Sequence, residues 1–391
     1  MSKKTANTVK TLTFGCRLNF FESEVIRNLA DKAELDDTLI VNSCAVTGEA
    51  VRQTRQAIRK ARREKPGARI IVTGCAAQTN PEAFAAMPEV DKVLGNAEKL
   101  DPAAFTHVGD GEAIHVSDIM TPHALQNHPP LIGGLEGRTR AFVQIQQGCD
   151  HRCTFCIIPF ARGPNRSLDT PRIVAQVAEV VDKGHGEVVL TGVDISSYGH
   201  DRPGHPGLGA LAGRILKEVP GLKRLRLSSL DPAGVDDGLL TLLGREDRLM
   251  AHLHLSLQAG DDMILKRMKR RHSRGQTKEL IRKILDIRPE TVFGADLIAG
   301  FPTETQAMFE NTLKTIDDLG LTFLHVFPYS PRPGTPAAKM PQVPEALRKE
   351  RAALLRQKGE AARDRFFQSL IGRTAHVLVE KPGFGHSRRF A

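Results

Sequence analysis

The sequence predicts an α/β protein built from two parallel-sheet units in succession, the second a partial (β/α)6 barrel, followed by a short β segment. Two observations carry this. Short β-branched runs alternate with helix-length segments along nearly all of the 391 residues. Six cysteines, at 16, 44, 75, 149, 153 and 156, fall just beyond such runs, where parallel sheets gather their loops.

The first unit spans residues 1–105. Val9–Phe14, Thr38–Asn42, Arg69–Thr73 and Lys92–Leu94 read as strands. The helices expected between them are Glu22–Lys32, Gly48–Lys65 and one near Pro81–Met87. Residues 106–137, with Gly, Pro and His in no clear period, read as a connection. The second unit, 138–369, offers the apolar runs Ala141–Ile145, Glu187–Leu190, Arg224–Leu227, His252–Leu257, Val292–Ile298 and Thr322–Phe327. Helical patterns such as Thr170–Lys183 and Gln276–Ile287 separate most of them. Six βα units fit an incomplete barrel better than a closed eight-fold one. Residues 345–369 form one long basic amphipathic helix, and Thr374–Glu380 a further strand.

No run of about 18 apolar residues occurs, so no spanning helix is expected. The polar start Met1-Ser2-Lys3-Lys4 lacks the apolar segment of a secretion signal, and a cytoplasmic protein is expected. The 55 Lys and Arg against 45 Asp and Glu give a net charge of +10, a sign that suits a polyanionic partner and equally an ordinary basic protein. In such a chain, cysteines at these spacings point to metal or catalysis rather than to disulfides.

Cys16, Cys44 and Cys75 each follow a strand, in Thr-Phe-Gly-Cys, Val-Asn-Ser-Cys and Val-Thr-Gly-Cys, about one βα unit apart. Neighbouring strand ends of a parallel sheet open onto one crevice, so three thiols distant in sequence should meet there. Three thiolates with an open fourth position suit an iron–sulfur cluster; a zinc site or three buried apolar cysteines are the alternatives.

Cys149, Cys153 and Cys156 form a CxxxCxxC loop after the first strand of the second unit. This resembles the radical-SAM enzymes. The resemblance implies a [4Fe-4S] cluster held by these three residues, which would make them catalytic, and S-adenosylmethionine (SAM) chelated to its fourth iron. It also implies an apolar residue, here Phe155, against the adenine of SAM. A zinc site including His151 is the competing reading. Thr191, Gly192, Asp194 and Gln258 sit at strand ends and are candidates for binding SAM or for plain turn chemistry.

The two triads together, with Thr13-Phe14-Gly15-Cys16-Arg17-Leu18-Asn19, Asn42-Ser43-Cys44-Ala45-Val46-Thr47, Leu190-Thr191-Gly192-Val193-Asp194, His254-Leu255-Ser256-Leu257-Gln258-Ala259-Gly260, Gly300-Phe301-Pro302 and Phe327-Pro328-Tyr329-Ser330-Pro331, resemble the methylthiotransferases. That family joins a cluster domain to a radical-SAM barrel and a small RNA-binding TRAM domain. Phe21-Glu22-Ser23-Glu24 and Arg52-Gln53-Thr54-Arg55-Gln56 are similar to the branch acting on threonylcarbamoyladenosine beside the tRNA anticodon. The implied cofactors are two [4Fe-4S] clusters and SAM. The implied partners are the tRNA anticodon stem-loop and an electron donor such as a flavodoxin or ferredoxin, with no membrane. Isopentenyladenosine, a ribosomal-protein side chain, or a non-catalytic iron–sulfur RNA-binding role are the alternatives.

Two departures stand out. After the third cysteine the family's Arg-Gly-Arg reads Arg162-Gly163-Pro164-Asn165-Arg166, leaving Arg162 and Arg166 as candidates to meet RNA or SAM. Residues 370–391 suffice for only an incomplete TRAM-like segment. Either the chain is truncated there or the RNA grip lies elsewhere; RNA contacts should be basic, from Arg52, Arg55, Arg59 and Arg62 or from the run Lys266–Arg271, and base stacking is expected from Phe, Tyr329 or Arg.

Overall fold

The computed structural model describes residues 9–106, 112–121, 139–204 and 206–391; most of the expected connection at 106–137 lies outside them. The chain divides into two compact units. One contains residues 1–136 with the short returns 147–150 and 157–164; the other contains 137–146, 151–156 and 165–391.

The first unit is a parallel sheet in the order β1 (Val9–Thr13), β2 (Thr38–Ser43), β3 (Arg69–Gly74), β4 (Lys92–Leu94) and β5 (Ile114–His115). Its helices are α1 (Arg17–Lys32), α2 (Gly48–Glu64), α3 (Cys75–Thr79), α4 (Pro81–Ala85) and α5 (Ala103–Thr106), with α6 (Ile158–Arg162) in the second return. Strand centres such as Ile40, Val41, Ile70, Ile71 and Val72 are fully buried, as expected of a sheet covered on both faces. Thr47 caps α2 by accepting from the Ala50 amide. Two elements differ from expectation. Helix α1 begins at Arg17 rather than Glu22, with Cys16 as its N-cap. The fifth strand lies in the segment expected to be a connection; at two residues it is too short to show a period.

The second unit holds six parallel strands: β6 (Arg140–Gln144), β9 (Glu187–Thr191), β10 (Leu225–Leu227), β11 (His252–Gln258), β12 (Val292–Ala299) and β13 (Leu321–Pro328). They form two three-stranded sheets, linked by parallel bridges Leu225–Leu249 and Leu230–Leu255. Short strands β7 (Gln146–Gln147) and β8 (Arg166–Ser167) lie near the end of β6. The crossing helices are α7 (Thr170–Asp182), α8 (Leu208–Glu218), α9 (Asp237–Arg245), α10 (Asp262–Arg267), α11 (Arg274–Ile287) and α12 (Gln306–Asp318). Their starts are marked by side-chain caps at Asp236, Asp261 and Thr305 and by a Ser273/Gln276 capping box. The long helix α13 (Glu345–Gln368) buries Ala352, Leu355, Gly359 and Ala362 along one face, and Gly359 seats Leu324 of β13.

The tail is a hairpin, β14 (Val377–Lys381) and β15 (Phe384–Ser387), where a single strand and turn were expected. It lies against the amino ends of the barrel strands. Arg224 donates to the carbonyls of His376 and His386, and Arg226 to that of Ser387. Arg140 pairs with Glu380 at 3.0 Å.

Two glycines of α8 separate close packing from helix propensity. A Cβ at Gly209 would lie 2.1 Å from the Leu239 amide and 2.4 Å from the Gly238 carbonyl carbon, whereas one at Gly213 meets only Leu242 at 3.9 Å. Gly209→Ala is expected to destabilise by about 1–3 kcal/mol, because backbone cannot yield to it. Gly213→Ala should stabilise by roughly 0.5–1 kcal/mol. Denaturant melts of the two variants check the opposite signs.

Candidate iron–sulfur and SAM sites

In the first unit the three cysteines stand at the carboxyl ends of adjacent strands β1, β2 and β3. Gly15, at φ +101°, lets the first loop close down: a Cβ there would be 2.8 Å from both Cβ and Sγ of Cys44. Asn19 ties the loops together, its Nδ2 donating to the carbonyls of Phe14 (2.7 Å) and Ser43 (3.1 Å). Cys16 is exposed, while Cys44 and Cys75 are buried. Burial, reinforced by the neighbouring Cys75 and Cys16, pushes the Cys44 thiol up to about 12. Ligation would therefore have to displace a proton there.

N–H groups converge on these sulfurs. The Val46 amide is 3.5 Å from Cys44 Sγ and Asn96 Nδ2 is 3.9 Å from Cys75 Sγ. Arg162 Nε donates to Cys75 Sγ at 3.1 Å. This buried guanidinium also donates from NH1 to Glu22 Oε1 (2.7 Å) and Gln147 Oε1 (2.8 Å). From NH2 it reaches Asn19 Oδ1 (2.5 Å) and Glu22 Oε2 (2.9 Å). Lys99 Nζ completes the cluster at 2.6 Å from Glu22 Oε2. Two cations and one carboxylate leave a surplus positive charge beside three thiols. This donor set fits anionic sulfur ligands to iron. Arg162, a candidate to meet RNA or SAM, is instead spent inside this unit.

In the second unit Phe155 lies between Cys153 and Cys156 and meets Phe301 edge-on at 6.4 Å. The loop is pinned by Thr154, which accepts from Ala337 and donates to the carbonyls of Met268 and Arg267. Arg270 NH1 lies 3.6 Å from Cys153 Sγ, another cation against a candidate ligand. Cys149 belongs to the 147–150 return, and its amide donates to the Gly163 carbonyl.

Thr191 ends β9 and is buried; Gly192 follows it, packed against Gln146, and then Asp194. Gln146 Oε1 accepts from the amides of Val193 (2.9 Å) and Asp194 (2.8 Å), and its Nε2 donates to Asn165. Asp194 Oδ2 sits 2.9 Å from His151 Nε2 and accepts from Ser197. Gln258 ends β11 at φ +71°, in the left-handed region, where the ladder shifts register. Such a conformation at a non-glycine residue marks a strained strand end. These residues gather at the carboxyl ends of the strands, where parallel α/β folds place their ligands.

Sequence reading missed Gln146, although Gln144, Gln146 and Gln147, three buried amides around one strand end, were a signal. It also missed a row inside the barrel. Asp296 of β12 accepts from His254 of β11 (3.0 Å) and His325 of β13 (3.2 Å). Burial opposes the charge on Asp296, but the two imidazoles outweigh it and hold the carboxyl well below the usual range.

The radical SAM superfamily model matches residues 143–316, and that of the uncharacterized protein family UPF0004 matches residues 8–95. The chain is 53% identical to the threonylcarbamoyladenosine tRNA methylthiotransferase MtaB of Rickettsia prowazekii (strain Madrid E), over 97% of this chain and 89% of that one. The chain belongs to the radical-SAM methylthiotransferases. It is 36% identical to the MtaB protein of Aquifex aeolicus, over 94% of this chain and 91% of that one. Among solved structures, the radical S-adenosylmethionine methyltransferase TsrM from Kitasatospora setae shares the fold. Its TM-score is 0.55 at 18% identity, over 82% of this chain and 68% of that one. As a radical-SAM methylthiotransferase this protein is a transferase that works with SAM and [4Fe-4S] iron–sulfur.

The basic stretches of this methylthiotransferase are only partly available to a polyanion. Arg270 is buried against Asp231 (3.3 Å) and the Ser256 carbonyl, and His272 lies buried beside the same carboxylate. Lys266 and Lys269 remain exposed, as does Arg271, although it also reaches Asp231 at 3.4 Å. On α2, Arg62 is committed to Asp91 and to the carbonyls of Glu89, Pro66 and Ala68; Arg55 lies over Phe84, and Arg52 pairs with Glu49. Arg59 is exposed.

The Glu22 cluster sets a stability test. Burial would raise the Glu22 pKa, but Arg162 and Lys99 overcome it and hold it at about 2 against an ordinary 4.5. A depressed folded-state pKa stabilises above the unfolded value and is lost as pH falls through the folded one. Acid unfolding should therefore draw on this pair between about pH 4.5 and 2. Arg162→Leu should cost about 3–5 kcal/mol at neutral pH, because it leaves a buried carboxylate with one partner fewer. Denaturant melts at neutral pH and across the acid window check both.

Proposed function

We propose that this transferase adds a methylthio group to carbon 2 of threonylcarbamoyladenosine beside the tRNA anticodon, using two [4Fe-4S] clusters. One would be held by Cys16, Cys44 and Cys75, the other by Cys149, Cys153 and Cys156. The observation that carries this reading is the 53% identity along nearly the whole chain to a relative named for that activity, in a chain with both cysteine sets. Carbon 2 of adenine is not acidic and carries no leaving group; bound SAM and iron–sulfur supply the radical chemistry that such a C–H bond demands.

The chain's own residues bind, orient and exclude water. Phe155 gives the cofactor an apolar wall, and Gln146 fixes the Val193–Asp194 turn by accepting two of its amides. Arg162 and Asn96 donate to Cys75 Sγ, and Arg270 faces Cys153 Sγ, so N–H groups are already aimed at these sulfurs. The anticodon stem-loop is the macromolecular partner in this reading, a flavodoxin or ferredoxin the electron donor, and the cytoplasm the compartment. No helix among the described residues is long and apolar enough to cross a membrane.

Nucleoside mass spectrometry of tRNA from cells with and without the gene tests the reaction: 2-methylthio-threonylcarbamoyladenosine should vanish and its unthiolated precursor accumulate. In the anaerobically reconstituted protein, about eight irons are expected from two four-iron clusters. Changing Cys16, Cys44 and Cys75 together to Ala should halve that iron and spare SAM cleavage; loss of all iron would overturn the two-cluster assignment. Replacing the exposed Lys266, Lys269 and Arg271 with Ala should flatten the slope of log affinity against log salt by roughly two to three units, if each meets a phosphate. Binding titrations over a range of salt read that slope.

A further inference from the structure

A tRNA base that undergoes chemistry at a ring carbon must be splayed from its stack and held by another surface, and protein aromatics are the usual one. The chain has no Trp and two Tyr. Neither Tyr is available: Tyr198 is 0% exposed and Tyr329 only 4%, packed against Phe301. Among the described residues of the second unit the exposed phenylalanines are Phe327, Phe367 and Phe384. Phe367 lies at the end of α13, and Phe384 opens β15 in the hairpin at the amino ends of the strands. Phe327, 39% exposed, is the penultimate residue of β13 and so lies at the carboxyl end, with Thr191 and Gln258.

Its face is fixed by alternation. Leu324 of β13 lies under Gly359 of α13, so His325 and Phe327 project to the opposite side. That side is the barrel interior, because His325 bonds Asp296 there and Asp296 bonds His254. Strand β13 is also the outer strand of its sheet, so no further paired strand lies beside it among the described residues. His325 has a side chain 53% exposed, yet its Nδ1 is held by Asp296. A neutral imidazole donating from Nδ1 to a carboxylate presents Nε2 as an acceptor. Gly294 makes the row possible: a Cβ there would stand 2.4 Å from His254 Nδ1.

We propose that Phe327 and His325 form the platform for the extruded adenosine, Phe327 stacking on the ring and His325 Nε2 accepting from an N–H of its N6 substituent. This rests on the tRNA reading above and names the residues that would hold the base. Asp296, which does not meet the base, acts as a positioning residue by fixing the His325 ring.

The test uses the reconstituted holoenzyme and an anticodon stem-loop RNA bearing threonylcarbamoyladenosine. Phe327→Ala should raise the KM for RNA roughly five- to hundredfold, the span of losing one base–aromatic stack. Phe327→Tyr should restore it. Iron content and RNA-independent SAM cleavage should stay at wild-type levels in both. His325→Ala and Asp296→Asn should each lower kcat/KM for RNA, and the double variant should lose no more than the worse single, since both remove one oriented acceptor. Full additivity of those two would overturn the positioning role. A Phe327→Ala KM within twofold of wild type would overturn the platform. So would loss of RNA-independent SAM cleavage in Phe327→Ala, which would assign the ring to the cofactor. If wild type converts a different N6-substituted adenosine instead, the substrate reading fails, and the same variants decide the platform on that RNA.

Discussion

Glu22 lies buried between the guanidinium of Arg162 and the ammonium of Lys99, and the arrangement of the first unit around its cysteines depends on that pairing. A carboxylate so placed would be ruinous alone, and two cations beside it would repel. Together they fix α1, which carries Glu22 and Asn19, the turn at Glu98–Leu100, and the return containing α6. The surplus charge is turned toward Cys75. Arg162 stands only six residues beyond Cys156, so one short stretch of chain would serve a proposed ligand set at each end.

Much of this was legible in the sequence because it is periodic or punctuated. The strands alternate with helices strongly enough to be read, and Gly15 and Gly74, both at positive φ, announced the turns before Cys16 and Cys75. What escaped reading depends on contacts between residues far apart in sequence. Nothing local in Arg162 says that its partners are Glu22, Asn19 and Cys75, and a charged residue in a loop reads naturally as a surface contact. The same holds for Arg270. In sequence it is one of a row of cations, but the fold turns it inward to Asp231 while Lys266 and Lys269 stay outside. The row of His254, Asp296 and His325 was invisible for a related reason: its members lie on three strands and meet only when the register is set.

The end of β11 shows how the barrel breaks a regular element where the candidate residues gather. The pairing with β12 is regular from His252 to Leu255, and the ladder then slips before Gln258 and leaves it in a backbone conformation that side chains rarely adopt. Packing of Gly260 against Thr312 and Thr315 of α12 holds that turn from behind. The carboxyl end of β11 is thus irregular where the rest of the strand is regular.

The opposite end of the barrel is built on another plan. There Glu187, Arg226 and Arg224 knit strand beginnings to the hairpin, and Phe390 stacks on His252 and under Arg226. The molecule consequently has a division of labour along its strands, and inherited changes should sort by it. Those at the hairpin-bound end would act through protein abundance, lowering every output in proportion. Those at the other end would leave the amount of protein intact and change what it does.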